Sequence, residues 1–224
     1  MSITLLETRD HSHTLYVPEL DETYHSRNGA IEEAMYVYIG KGLKDWAEGN
    51  TPLKCSILEM GFGTGLNAWL TAMECARLNI QCYYHSLETF PLGKELVTQL
   101  NYIAGRTNDE KNLFGTIHKA QWNAPAAITD HFTLMKELVS LQDFQPATGF
   151  DIIYFDAFAP EKQPELWTEG IFRKLYAALN PGGRIVTYSS KGDIRRMWQT
   201  IGFEVERLKG PPFKRHMLRG RKTQ

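Results

Sequence analysis

Two apolar rhythms alternate along the chain. Short continuous apolar runs, which read as strands buried on both faces, are separated by longer segments whose apolar residues recur every three or four positions, as on one face of a helix. The spacing predicts strand one over 56–62 and a helix over 66–78, then strand two over 81–88 and a helix over 92–104. Strand three follows over 115–121 with a helix over 131–141, and strand four over 150–158 with a helix over 164–179. A turn at Pro181-Gly182-Gly183 leads into strand five over 184–189 and a helix over 194–200. Two closing strands, 203–209 and 216–221, are joined by Gly210-Pro211-Pro212. Ahead of this alternation, residues 1–28 are polar around one extended patch at 13–17. Asn28-Gly29 makes a turn, and Ile31, Ala34, Met35, Ile39, Leu43 and Trp46 mark a helix over 30–46 that Gly49-Asn50-Thr51-Pro52 ends.

Alternating strands and helices predict an α/β, doubly wound, mostly parallel seven-stranded sheet with right-handed crossovers and one antiparallel strand at its edge. Residues 1–50 then form an N-terminal extension packed on a core domain over 51–224. No apolar run approaches the length of a membrane span, and the N-terminus lacks a basic-then-apolar signal pattern. A cytoplasmic protein with no membrane partner is expected. Cys55, Cys75 and Cys82 fit that compartment: the number is odd, and all three fall in strand or helix interiors, where they read as small buried hydrophobes.

Charge is unevenly spread. From Lys191 onward ten basic residues face three acidic ones, a net of +7, while the first 190 residues carry a net of −8. A basic tail on an acidic body suits capture of a polyanion, and also suits a solvated surface with a basic bias.

In a doubly wound sheet, ligands bind at the carboxyl ends of the strands. Strand one ends in Glu59-Met60-Gly61-Phe62-Gly63-Thr64-Gly65-Leu66-Asn67. This acid-x-Gly-x-Gly-x-Gly spacing differs from the dinucleotide pattern, whose third glycine would fall at Leu66. It resembles the first motif of S-adenosylmethionine (SAM) methyltransferases, which makes Glu59, Gly61, Gly63, Gly65 and Asn67 cofactor-binding candidates. Strand two ends in Glu88-Thr89, where a carboxylate suits two ribose hydroxyls or an N-cap on the next helix. Strand three ends in Gln121-Trp122, an amide for the adenine amino group and a ring that either stacks on adenine or packs in the core. Strand four ends in Asp156, followed by Ala157-Phe158-Ala159-Pro160. A carboxylate directly after a buried strand needs a positive or hydrogen-bonding partner, and a substrate amine would serve.

Together these segments resemble a known family, the methyltransferase part of the bifunctional tRNA 5-methylaminomethyl-2-thiouridine biosynthesis proteins. Matching pieces include Glu22-Thr23-Tyr24-His25-Ser26, Met35-Tyr36-Val37-Tyr38-Ile39-Gly40, the glycine turn, Ser86 to Leu92, Phe155 to Thr168 and Lys209 to Leu218. The resemblance implies a class I SAM-dependent methyltransferase, Rossmann-like in fold. Its reaction would methylate the aminomethyl group of 5-aminomethyl-2-thiouridine at the tRNA wobble position. It implies Asp156 as the catalytic residue, either to position the amine by a charge-assisted hydrogen bond or also to accept its proton. Tyr24, Phe158 and Trp167 are candidates to wall the uracil ring or to serve as packing, and Lys214 and Arg215 to meet tRNA phosphates. The relatives also carry a flavin-dependent oxidase. This chain ends at Gln224 without a second glycine fingerprint, so neither FAD nor a metal is expected. Three rival readings are an aminopropyltransferase of the spermidine-synthase kind, a nicotinamide oxidoreductase and a catalytically silent tRNA-binding module. The first would need several carboxylates for a polyamine, and the glycine spacing disfavours the second.

Overall fold

The computed structural model describes residues 3–50, 53–146 and 149–223. Thr51 and Pro52, from the break expected before strand one, lie outside the described residues. Strands β1 (Thr4–Glu7), β2 (His13–Val17) and β3 (Glu22–Thr23) form a small antiparallel sheet in sequential order. One helical rod follows, made of α1 (Ala30–Ala34), a π-wound stretch (Met35–Lys44) and α2 (Asp45–Ala47).

The alternating part begins with β4 (Lys54–Met60), α3 (Leu66–Leu78), β5 (Gln81–Glu88) and the short α4 (Lys94–Val97). It continues with α5 (Asn108–Lys119), β6 (Pro125–Thr129), β7 (Phe132–Leu138), β8 (Phe150–Phe155), α6 (Glu169–Ala178) and β9 (Leu179–Thr187). The chain closes with α7 (Gly192–Ile201), β10 (Phe203–Lys209) and β11 (His216–Lys222). These strands form one sheet in the order β10-β11-β9-β8-β4-β5-β7-β6. Strands β9, β8, β4, β5 and β7 run parallel.

Consecutive residues of the central strands feed opposite cores. Ile57 and Ile152 face a cluster with Val37, Tyr38, Trp69 and Tyr84. Leu58 and Ile153 face a second cluster with Phe155, Phe172, Ile185 and Trp198. Covering a parallel sheet on both sides explains why β4 and β8 read as unbroken apolar runs. The helical rod that precedes the sheet shares the first cluster through Val37, Tyr38, Leu43 and Trp46. No helix among the described residues is long and apolar enough to cross a membrane.

The doubly wound α/β arrangement matches the sequence expectation, with local corrections. The span 115–121 is not strand three, because most of it is the end of helix α5. That helix starts at a capping box: Glu110 N donates to Thr107 Oγ1 at 3.3 Å, and Thr107 N donates to the Glu110 carboxylate at 2.8 Å. The third parallel strand is β7, inside the span predicted as the helix 131–141. Its buried residues, Phe132, Leu134 and Lys136, alternate as a strand requires. The lysine at an inward position hides that period, and Met135 on the other face imitates a helical one. Strand β6 pairs antiparallel with β7 and makes an eighth strand. The antiparallel β11 lies one place in from the other edge, between β9 and β10. The helix expected over 92–104 shortens to α4, and the turns after it bring Leu100 and Tyr102 into the first core.

Candidate active site

Strand order reverses at β4, whose neighbours are β5 on one side and β8 on the other. The chain leaves β4 through the glycine turn, which is tied to β5 because Gly61 N and Phe62 N both donate to Leu87 O, at 3.0 and 3.1 Å. Gly63 has φ +49°, and a Cβ there would lie 3.2 Å from the Tyr24 ring. Gly65 has φ +71°, and its Cβ would meet the His118 ring at 2.9 Å. Only glycine fits both the backbone and the space at these two positions. Above the turn opens a cavity of about 420 Å³, within the range of small-molecule sites.

Asp156, the first residue after β8, forms one wall. Its Oδ1 accepts from the Tyr38 hydroxyl at 2.6 Å, and its Oδ2 accepts from Asn67 Nδ2 at 2.8 Å. Burial raises its pKa to about 6 despite these two bonds. Glu59 lies close by, one residue before the end of β4, and is 1% exposed. Its Oε2 accepts from Ser86 Oγ at 2.5 Å, and its Oε1 has no partner. Burial pushes Glu59 up to about 8. At neutral pH one of the two neighbouring carboxyls therefore holds its proton and the other carries the charge, a division of roles typical of acid–base sites.

Glu88 lines the cavity at the end of β5. Its Oε2 accepts from Gly63 N at 2.9 Å, and its Oε1 accepts from Thr89 N at 2.8 Å and Phe90 N at 2.9 Å. The carboxylate thus fixes the glycine turn and its own loop, while α4 is capped elsewhere, at Gly93. Tyr24 and Phe158 stand edge to face with ring centroids 5.4 Å apart and also line the cavity. Tyr24 keeps its proton, with burial raising its pKa to about 12.

Of the residues proposed from sequence, the structure gathers Gly61, Gly63, Asn67, Glu88, Thr89, Asp156, Tyr24 and Phe158 around this cavity. Others sit elsewhere. Glu59 is beneath the floor, and Gly65 is backed by His118 rather than by the cavity. Gln121 is exposed and Trp122 packs on Phe62, both outside the lining, because they follow a helix and not the third parallel strand. The corresponding strand end is that of β7, and the lining there is Val139, Ser140, Leu141 and Gln142. Trp167 is 4% exposed and packs edge to face against Phe155, so it is core rather than wall. Its Nε1 donates to Phe158 O at 2.7 Å and so holds the wall residue in place. His25, Phe90 and Gln142 line the cavity and were not legible as site residues. Burial drops His25 to about 4, which keeps it neutral.

The basic segment divides in two. Lys214 pairs with Glu33 and lies 4.4 Å over the Tyr188 ring. Arg219 is buried between Asp45 and Glu206, Arg221 meets Glu206, and Lys191 meets Glu161. Among the described residues Arg195, Arg196, Lys209 and Arg215 are exposed with no side-chain ion pair. The charge count read from sequence therefore overstates the free positive surface.

Comparison with known proteins points to the same fold. Residues 116–223 match a family model described as an S-adenosyl-L-methionine-dependent methyltransferase. The tRNA 5-methylaminomethyl-2-thiouridine biosynthesis bifunctional protein MnmC of Nitrosospira multiformis is 33% identical over 215 residues, 92% of this chain and 35% of that protein. The protein of the same name from Paraburkholderia xenovorans is 32% identical over 93% of this chain and 33% of its own length. The chain thus spans about a third of the length of the curated relatives it matches. The crystal structure of MNMC2 from Aquifex aeolicus superposes with a TM-score of 0.80 over 98% of this chain and 70% of that one, at 23% identity. Spermidine synthase from Thermotoga maritima shares the fold at a TM-score of 0.58 and 14% identity, over 99% of this chain and 69% of that one. The fold is that of the class I SAM-dependent methyltransferases, and the resemblance to the methyltransferase part of the bifunctional proteins extends along nearly the whole chain.

Proposed function

We propose that this chain, built on the class I SAM-dependent methyltransferase fold, methylates the aminomethyl group of 5-aminomethyl-2-thiouridine at the wobble position of tRNA. One observation carries the reading: Asp156 is held by Tyr38 and Asn67 on the wall of a cavity that the glycine turn floors and Tyr24 and Phe158 flank. The residues fit the cofactor. Gly63 leaves room that a side chain would fill, and the buried Asn67 Oδ1, with no partner in the protein, is an acceptor suited to the ammonium of an amino-acid moiety. Glu88 keeps lone pairs for ribose hydroxyls beyond its three backbone bonds. When bound, SAM supplies an electrophilic methyl group.

The remaining chemistry belongs to the chain. A primary alkylamine arrives largely protonated, and only its neutral form has a lone pair. Ionised Asp156 attracts the ammonium by a charge-assisted hydrogen bond. With a pKa of about 6, it can then take the proton at neutral pH. Proton-held Glu59 adds no second charge beneath it, so the site favours a single amine. The aromatic pair Tyr24–Phe158 suits a planar base better than a flexible polyamine, which separates this reading from aminopropyl transfer. Fixing the amine against Asp156 contributes through proximity, an effect worth up to roughly 7–11 kcal/mol.

The partner that follows from this reading is tRNA, with Arg215 and Lys209 on its phosphates. Incubation with labelled SAM and tRNA from a strain lacking the modification, followed by nucleoside analysis, tests it. Label in 5-methylaminomethyl-2-thiouridine is expected, and unlabelled tRNA in the presence of bound SAM would overturn the reading.

A further inference from the structure

Phe213 is 69% exposed, although it is a large apolar side chain at the tip joining β10 and β11. Its φ is +68°, a region that bulky residues avoid and that persists only where the surroundings enforce it. The tip does enforce it. Pro211 and Pro212 precede the residue, Lys214 N donates to Pro211 O at 3.0 Å, and Gly210 N donates to Arg215 O at 3.1 Å. Strain is thus spent on holding an aromatic ring largely out in solvent.

The surroundings of the ring are cationic. Arg9, from the N-terminal sheet, lies over one face with its guanidinium carbon 5.4 Å from the centroid. Arg215, two residues on, is exposed and has no side-chain ion pair among the described residues. The tip also stands beside the acceptor wall. Lys214, the next residue, turns inward over the Tyr188 ring, and the Tyr188 hydroxyl donates at 3.0 Å to the carbonyl of Ala157, the neighbour of Asp156. An exposed aromatic face flanked by cations is the means by which proteins hold unpaired bases and their phosphates.

We propose that Phe213 stacks on a base adjoining the nucleotide whose amine reaches Asp156, with Arg9 and Arg215 on the neighbouring phosphates. The inference rests on the wobble-uridine reading, since the wobble nucleotide lies in a single-stranded loop. It assigns that loop a second contact outside the cavity.

A synthetic anticodon stem-loop RNA with 2-aminopurine beside the wobble position tests this. Binding to the wild-type chain should change the probe's fluorescence as the base stacks. Phe213→Asn removes the ring and relieves the backbone, because asparagine tolerates positive φ. It should melt no lower than wild type, keep its SAM affinity, and bind the RNA about 5- to 150-fold more weakly, the range for one base–aromatic stack. Phe213→Trp should restore both affinity and the fluorescence change. Unaltered RNA affinity in Phe213→Asn, with methyl transfer to tRNA intact, would overturn this inference alone. A Phe213-dependent dimer in sedimentation, with RNA affinity unchanged, would overturn it in favour of contact between protein copies. Failure of wild type both to bind the RNA and to methylate tRNA would instead remove the wobble-uridine reading and this inference with it.

Discussion

The hydroxyl of Tyr38 donates to Oδ1 of Asp156 at 2.6 Å, joining the helical rod ahead of the sheet to the residue that follows β8. That bond favours the ionised carboxylate and opposes the burial that raises its pKa to about 6. In Tyr38→Phe the pKa should rise further. The acidic limb of the pH–rate profile should then move to higher pH, with activity recovering above it. An unmoved acidic limb would mean that the phenol positions nothing that titrates in turnover.

Asp156→Asn keeps the shape and the contact to Asn67 but removes the charge and the proton acceptor. SAM affinity by calorimetry should stay near wild type, while turnover falls by at least about 10²-fold, as for a lost acid–base group. Raising pH should partly rescue the variant, since more amine is then already neutral. Near wild-type turnover at neutral pH would exclude this role.

Glu59 gives a stability signature. Its pKa rises from the ordinary 4.5 to about 8 on folding, so the folded state holds the proton more tightly. The associated stabilisation is complete below about 4.5 and is lost as pH rises through about 8. Glu59→Gln should therefore melt progressively higher relative to wild type as pH goes from 5 to about 9. Melting curves that run parallel across this range would contradict a protonated Glu59.

The glycine turn and Glu88 act as one unit. Gly63→Val would place a branched side chain against the Tyr24 ring at a φ of +49°, and should abolish SAM binding in a chain that keeps its sheet. Glu88→Ala frees three backbone amides and should weaken SAM by roughly 1.5–3 kcal/mol, the range for hydrogen bonds to a charged group. Calorimetry on the folded variants decides both.

Two arginines of the basic segment should behave differently. Arg219→Ala strips a buried cation from Asp45 and Glu206, and should cost about 3–5 kcal/mol of stability. Arg215→Ala should leave melting unchanged and flatten the log–log salt dependence of tRNA binding by about 0.7–0.9, one phosphate contact. Equal loss of stability in both would deny the division.

The legible parts of the fold were those with a clean period or a punctuating residue. The runs of β4 and β8, the glycine turn and the Asp156 loop all declare themselves. The failure lay between Gly105 and Leu141. There Thr107-x-x-Glu110 announces a helix start, but the β-branched and apolar residues of α5 imitate a strand. In β7 the buried Lys136 breaks the alternation, because its ammonium is satisfied by the carbonyls of Ile117 and His118 at the end of α5, a partner no local pattern reveals. That error misplaced the third strand end, and Gln121 and Trp122 with it. Tyr38 was hidden for a related reason: its role depends on a residue far along the chain.

The π-wound stretch Met35–Lys44 makes the rod that carries Tyr38 sensitive to length as well as to residue type. Removing one residue there would swing every side chain beyond the deletion by roughly a quarter turn about the axis. It would turn Tyr38 away from Asp156, or Gly42 away from the Tyr154 ring that its missing side chain accommodates. Conservative exchanges on the rod's outer face should be absorbed, whereas a one-residue indel should cost both the Tyr38–Asp156 contact and the core packing of Val37 and Leu43. The helical phase of this segment thus sets where Tyr38 meets Asp156.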